Sequence, residues 1–292
     1  MSGLDPHYLH ERKGLEAVVS PPVDLVSALA WHPRREELVV ATRDGRLASV
    51  DPVMGTRELA RDLPEAGALA ISPDGGQVAI LGRGSALELR ALPTGERLAV
   101  VELRFLGDLW VGWWKGGVAA AGQGLDRREV VVMDGEGRRR ASGELPPGAI
   151  VGVDEEERLV LGRVSSAGPQ VVRLGKGRLD RQPPTGHRLR FGPGGRLIGV
   201  AEGGGPVWNR GEPPLTVRSF GVSAAALGPD ERSLAIGTRE GEVALADLGG
   251  GPLKRAHPGR TGGHDEAVRV LSFSRRGRWL ASVGDRTWLW SW

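Results

Sequence analysis

The side chains that enzymes most often use as nucleophiles, bases and metal ligands are absent or scattered in this sequence. Cysteine is absent, which excludes thiol nucleophiles, thiolate metal sites and disulfides. The six histidines are spread along the chain without the i, i+4 pair of a metalloprotease helix. No Gly-x-Ser-x-Gly elbow occurs, and Gly175-Lys176 is followed by Gly177 where a phosphate-binding loop needs Ser or Thr. The sequence therefore predicts no catalytic residue, no metal site and no cofactor.

Arginine is the functional side chain whose positions recur. Seven arginines fall in the turn that follows the second strand of a repeated pattern: Arg43, Arg83, Arg127, Arg128, Arg163, Arg239 and Arg286. A guanidinium group donates paired hydrogen bonds to carboxylate or phosphate. These turns would form a basic ring that attracts acidic peptides, phosphorylated segments or a nucleic-acid backbone. Alternatively, the recurrence reflects the abundance of arginine, and adjacent acids such as Asp44, Asp126, Glu240 and Asp285 partly neutralise it.

Two further positions could contact a ligand. Arg188 and Arg190 stand where other repeats carry alanine on their first strand, so they could hold an anion in or beside a central channel or pair with acidic neighbours such as Glu202. Trp110 also aligns with alanines. It either anchors a partner at the channel mouth or fills a gap left by Gly112.

A repeat of about 40 residues must position these side chains. Residues 28–45, 68–84 and 224–241 each read as an apolar strand, a Pro-bearing turn, a second apolar strand and a Gly-containing turn. Weaker copies occupy residues 108–122, 149–163, 188–202 and 268–284. The turns after the first strands are spaced 36 to 46 residues apart. A third strand follows in each repeat and a more polar fourth strand in each but the last, a pattern typical of four-stranded propeller blades.

The last repeat, Gly263 to Trp292, resembles the WD-repeat family. It carries a Gly-His pair, a strand ending in Phe-Ser, then Leu-Ala-Ser, Asp-x-Thr and Trp in the order of that family. The resemblance implies that His264, Ser282, Asp285 and Trp290 form a hydrogen-bonded network that braces the blade. Two departures are present: Ser291 replaces the Asp that follows the family's Trp, and the turn around Asp285 is one residue shorter.

Seven repeats predict an all-β fold, a seven-bladed β-propeller of four-stranded antiparallel blades. The last repeat ends after three strands, so residues 15–20 are expected to pair with residues 287–292 and close the ring, which removes exposed sheet edges. We expect an N-terminal arm at residues 1–12 and a single propeller domain at residues 13–292.

Composition and fold class together favour a protein-binding role. The net charge is +3, no apolar run reaches the length of a membrane helix, and no secretory leader is recognisable. We predict a cytoplasmic, non-catalytic protein-protein interaction scaffold that is a subunit of a bacterial signalling or defence assembly. Its expected partners are proteins with an acidic surface or peptide. No association with a membrane is expected. Two alternatives remain open: a propeller enzyme that binds an anionic substrate in the channel, and a nucleic-acid-associated accessory subunit.

Overall fold

The computed structural model contains only β-strands, turns and connecting segments in the residues that it describes. These are residues 16–18, 26–83, 86–145, 150–153, 159–165, 168–173, 187–191, 197–201, 206–208, 215–216, 221–247, 254–256 and 264–291. The predicted arm at residues 1–12 lies outside these ranges.

The described strands form seven antiparallel sheets. The strands are numbered in chain order, beginning with β1 (Glu16–Val18). The first sheet contains β2 (Val26–Trp31), β3 (Leu38–Thr42), β4 (Leu47–Asp51) and β5 (Gly55–Ala60). The second contains β6 (Ala66–Ile71), β7 (Gln77–Gly82), β8 (Ala86–Ala91) and β9 (Arg97–Glu102). The third contains β10 (Gly107–Trp114), β11 (Gly117–Gln123), β12 (Arg128–Met133) and β13 (Arg139–Glu144).

The remaining sheets continue this order. The fourth contains β14 (Ile150–Val153), β15 (Leu159–Ser165) and β16 (Gly168–Arg173). The fifth contains β17 (His187–Phe191), β18 (Leu197–Ala201), β19 (Pro206–Trp208) and β20 (Leu215–Thr216). The sixth contains β21 (Val222–Leu227), β22 (Ser233–Thr238), β23 (Val243–Asp247) and β24 (Lys254–Ala256). The last contains β25 (Val270–Phe273), β26 (Leu280–Val283), β27 (Thr287–Ser291) and β1.

The predicted all-β class is confirmed. The predicted four-stranded antiparallel sheet is observed in six of the seven sheets. In the fourth sheet three strands are described, and residues 174–186, where its outer strand was predicted, lie outside the described residues. Burial follows the apolar gradient of the sequence. β3 is buried at every position and β13 is exposed at every position, because second strands are covered on both faces while fourth strands meet water.

The last sheet combines the two ends of the described chain. β1 lies antiparallel to β27, with Glu16 opposite Ser291 and Val18 opposite Leu289. Residues within 15–20 thus supply the outer strand of a sheet whose other three strands come from the C-terminal repeat.

Neighbouring sheets pack mainly through their first strands. β2 contacts β6, β6 contacts β10, β10 contacts β14 and β14 contacts β17. β18 contacts β21, β21 contacts β25, and β25 contacts β2. Two tryptophans at one aligned position add a hydrogen bond across this packing: Trp113 Nε1 donates to the Ala70 carbonyl at 3.1 Å, and Trp31 Nε1 donates to the Ser272 carbonyl at 2.9 Å.

Two of the predicted turn arginines belong to strands. Arg163 lies inside β15 opposite Gln170, and the hairpin continues to Ser165 opposite Gly168. The prediction was wrong here because strand pairing in this hairpin continues two residues past Arg163, so the turn begins later than the repeat pattern indicates. Arg128 is the first residue of β12 and pairs with Gln123.

Candidate functional site

The arginine turns lie where second strands end. Arg43, Arg83, Arg127, Arg239 and Arg286 are exposed residues of these turns. The amide of Arg83 donates to the carbonyl of Glu65 at 2.8 Å, and the amide of Arg239 donates to the carbonyl of Gly221 at 2.7 Å. Glu65 and Gly221 each directly precede the first strand of their sheet. Each bond therefore holds its arginine beside the start of that strand.

Two of the five arginines are neutralised by neighbouring acids. Arg127 contacts Glu129 at 3.1 Å and Glu144 at 3.2 Å. Arg286 contacts Asp285 at 3.0 Å, and its guanidinium carbon lies 5.9 Å from the ring centre of Trp288. These side chains are engaged within their own sheets and are poorly placed to supply a free positive charge.

Arg43 is different because its expected acidic neighbour is engaged elsewhere. The Asp44 carboxylate pairs with Arg46 at 2.7 Å and accepts a hydrogen bond from Thr42. Hydrogen bonds from Arg46 and Thr42 hold the pKa of Asp44 below its usual value. Among the described residues, Arg43 forms no ion pair. The expectation that Asp44 neutralises Arg43 therefore does not match the observed contacts.

Arg269, which precedes the first strand of the last sheet, feels the charges of Arg43 on the first sheet and Arg83 on the second. Burial lowers the pKa of Arg269, and the positive charges of Arg43 and Arg83 lower it further, while the carboxylates of Glu266 and Asp285 offset part of this effect. Arg269 donates to the Gly284 carbonyl at 2.5 Å, while Arg83 has one loose ion pair with Glu65 at 3.5 Å. We call these three side chains the arginine cluster. Its positive charge is an arrangement that favours an anionic group.

Sequence reasoning missed Arg269. The registers of β2 with β3 and of β25 with β26 place Val270 where the first sheet has Ala28, so Arg269 aligns with Ser27. A long cation at a position that holds serine in another repeat was the available signal.

Trp110 packs inward. It lies partly buried against a cluster that includes Ala121, Val130 and Val151. Its six-membered ring reaches within 2.5 Å of where a Gly112 side chain would begin. The tryptophan thus fills the space that glycine leaves, the second of the two readings of this residue.

Arg188 and Arg190 belong to β17, where they pair with Val200 and Ile198. Phe191 pairs with Leu197 as Trp31 pairs with Leu38, so the two arginines occupy first-strand positions equivalent to Ala28 and Ala30. Arg163 lies in the neighbouring sheet, in the strand β15 that contacts β17.

His264, Ser282, Asp285 and Trp290 lie in one chain of hydrogen bonds. Trp290 Nε1 donates to Ser282 Oγ at 2.8 Å, and Ser282 Oγ lies 2.7 Å from His264 Nε2. His264 Nδ1 lies 3.2 Å from the Asp285 carboxylate. Because a carboxylate only accepts, Nδ1 carries the proton, Nε2 accepts from Ser282, and every group in the chain is satisfied.

Burial keeps this histidine neutral. It lowers the pKa of His264, and the Asp285 carboxylate offsets only part of that effect. Burial disfavours ionised Asp285, but hydrogen bonds from Arg286 and His264 outweigh it and lower its pKa. His264, Ser282 and Trp290 are all at most 1% exposed, so these three side chains are closed to solvent.

In the part of the chain that the structure describes, no group of three or more His, Asp or Glu side chains is arranged to hold a metal ion. Within the same residues, none of the elements is a helix of sufficient length and apolarity to span a membrane.

Comparison with known proteins assigns the fold. Residues 257–290 match the family model "WD domain, G-beta repeat". The β-propeller domain of Cps50 (Swd1) from Myceliophteria thermophila superposes with a TM-score of 0.70 and 16% sequence identity, over 94% of this chain and 99% of that domain. No curated protein sequence matches the chain. The chain has the fold of a WD-repeat β-propeller, and the resemblance seen in the sequence is confirmed.

Proposed function

We propose that the seven sheets close into one seven-bladed propeller, residues 13–292, that acts as a non-catalytic scaffold for proteins in a cytoplasmic multiprotein assembly. Three observations support closure: consecutive sheets contact one another, β25 contacts β2, and β1 completes the last sheet. A closed ring of packed sheets presents its turns as a fixed surface, and turns on rigid scaffolds commonly carry binding residues.

The arginine cluster is the observation that supports the position of the contact surface. The charges of Arg43 and Arg83 both act on Arg269, and Arg43 forms no ion pair with any described residue. Like charges at short range repel. A carboxylate or phosphate bound between them relieves this repulsion and is therefore bound favourably. We infer that the partner presents an acidic segment to Arg43, Arg83 and Arg269.

A protein partner is favoured over nucleic acid by the charges around the other turns. Arg127 and Arg286 are paired with Glu129 and Asp285, so the described turns do not form an unbroken basic track. A nucleic-acid backbone needs such a track and aromatic stacking platforms beside it.

Binding of a fluorescein-labelled Glu-rich peptide, followed by anisotropy, tests the proposal. We expect the Arg43→Glu/Arg83→Glu variant to lose at least about tenfold in affinity, because two attractive charges become repulsive. The matched control is Arg57→Glu/Arg139→Glu, which makes the same change in net charge at two exposed positions on outer strands and should bind as wild type does.

Pull-down from the native host with the same pair of variants extends the test to the natural partner. Equal recovery of one defined protein by both variants would remove the arginine cluster from the contact surface. Tighter binding of a single-stranded oligonucleotide of equal charge than of the peptide would favour the nucleic-acid alternative.

A further inference from the structure

A cavity of about 300 Å³ opens between the sixth and last sheets, at the end opposite to the arginine cluster. It lies between two turns that join first and second strands, the turn after β21 and the turn after β25. Gly228, Pro229, Phe273, Arg276 and Gly277 are among the residues that line it.

The corresponding place between the first and second sheets is filled by a histidine ring. The Nδ1 atom of His32 accepts hydrogen bonds from the amides of Arg34 and Arg35, both at 3.1 Å. Nε2 therefore carries the proton and donates to the Gly75 carbonyl at 3.2 Å. A side chain at Gly75 would begin 2.4 Å from the ring, so glycine is what allows the imidazole to enter. The ring is buried, and His32 is 4% exposed.

At the cavity, glycine replaces the histidine while the receiving turn is kept, and the Pro229 ring lies against it: a side chain at Gly277 would begin 3.2 Å from Pro229. The registers of the first and sixth sheets align Gly228 with His32. Gly277 takes the place of Gly75: their amides donate to Ser274 at 2.9 Å and to Ser72 at 2.8 Å, and their φ angles are +70° and +77°. Among the described residues, no group donates a hydrogen bond to the Gly277 carbonyl. The cavity thus overlaps, beside Pro229, with the space that an imidazole occupies at the other junction.

The cavity walls combine apolar contact with positive charge. Phe273 and Pro229 supply carbon surface. The Asp230 carboxylate is used within its own turn, where it accepts from the amides of Arg232 and Ser233 and from the Ser233 hydroxyl. Arg276 is exposed and forms no ion pair in the described part of the chain. A neutral ring with a carboxylate beside it fits these walls.

We propose that this cavity is a second binding site, which takes a neutral histidine side chain from an acidic segment of a partner protein. The ring donates to the Gly277 carbonyl, as His32 donates to Gly75, and the adjacent carboxylate pairs with Arg276. The site does not depend on the arginine cluster, so the two can be tested separately.

The test uses acetyl-Glu-His-Glu-amide as the probe, with amide chemical shifts of Gly277 and Arg276 as the readout, in the Arg43→Glu/Arg83→Glu background. We expect saturable shifts of both amides at about pH 8, where the imidazole is neutral. Acetyl-Glu-Ala-Glu-amide should leave these shifts unchanged. Equal binding of the two peptides would overturn the proposal.

A variant that fills the cavity from within provides the second arm. Gly228→His alone would begin a side chain 2.8 Å from the Asp230 carboxylate, so Gly228→His/Asp230→Arg is used, which copies the His-Pro-Arg of residues 32–34. It should lose peptide binding by at least about tenfold, measured at a temperature at which circular dichroism shows the variant to be folded. Unchanged binding would place the peptide elsewhere.

The reciprocal variant keeps the proposal testable if the double variant does not fold. His32→Gly should open an equivalent cavity between the first and second sheets. Added imidazole at about pH 8 should then raise the melting temperature of His32→Gly more than that of wild type. Failure of imidazole to stabilise either protein would show that this place does not bind the ring.

Discussion

His264 Nε2 and Ser282 Oγ lie 2.7 Å apart, and both side chains are fully buried. The serine hydroxyl is the central group of its network, because it donates to the imidazole and accepts from the indole of Trp290 at 2.8 Å. Removing it would leave two buried nitrogens without partners, and such groups are costly in a protein interior.

Ser282→Ala is therefore expected to lower the free energy of unfolding by about 1–3 kcal/mol. Urea denaturation followed by circular dichroism measures the change. Ser142→Ala is the matched control, since Ser142 is exposed on β13, and it should alter stability little. A loss of equal size in both variants would mean that serine's backbone preference, and not the network, accounts for the effect.

The network also predicts a dependence of stability on pH. Burial lowers the pKa of His264 from the ordinary value of 6.5, so below that pH the unfolded chain binds more protons than the folded one. Stability is complete above about pH 6.5 and falls as the pH decreases toward the folded-state pKa. Urea unfolding between about pH 8 and pH 5 should show this slope, and His264→Gln should reduce it.

The slope that persists in His264→Gln is assigned to His32. Burial and the charge of Arg35 lower the pKa of His32 as well, so it contributes in the same direction and the same pH range. An unchanged slope in His264→Gln would show that His264 does not titrate differently on folding.

The repeat made most of the fold predictable, whereas the site depended on contacts between repeats. Apolar strands separated by Pro and Gly turns recur at a nearly constant interval, and the WD-repeat residues His264 to Trp290 fix the alignment of the last sheet. Periodicity within one repeat cannot show that Asp44 turns to Arg46, nor that Arg269 of the last sheet approaches Arg43 of the first. Arg163 was misplaced because turn length is decided by strand pairing in its own hairpin.

Gly75 provides a test of the packing between the first two sheets. Gly75→Ala places a methyl group 2.4 Å from the His32 ring and also strains a residue with φ +77°. Gly55→Ala carries the same kind of backbone strain, at φ +96°, with no atom within 4 Å. We expect Gly55→Ala to cost about 1 kcal/mol and Gly75→Ala distinctly more, measured by thermal unfolding.

The excess at Gly75 should disappear when the ring is removed. In the His32→Ala background, Gly75→Ala should cost no more than Gly55→Ala does in wild type, which is a coupling that a double-mutant cycle detects. Additive losses would show that His32 and Gly75 do not meet.

Trp31 tests the contact between the first and last sheets. Its indole donates to the Ser272 carbonyl across this junction, whereas Trp113 makes the equivalent bond between the third and second sheets. Phenylalanine at either position keeps an aromatic ring and removes the donor, so each change should lower the free energy of unfolding by about 0.5–1.5 kcal/mol. In a closed ring the two junctions are equivalent, and Trp31→Phe should therefore be about as destabilising as Trp113→Phe in urea denaturation. A ring that is open between β25 and β2 would lose the Trp31 bond in solution, and Trp31→Phe would then leave stability unchanged while Trp113→Phe lowers it.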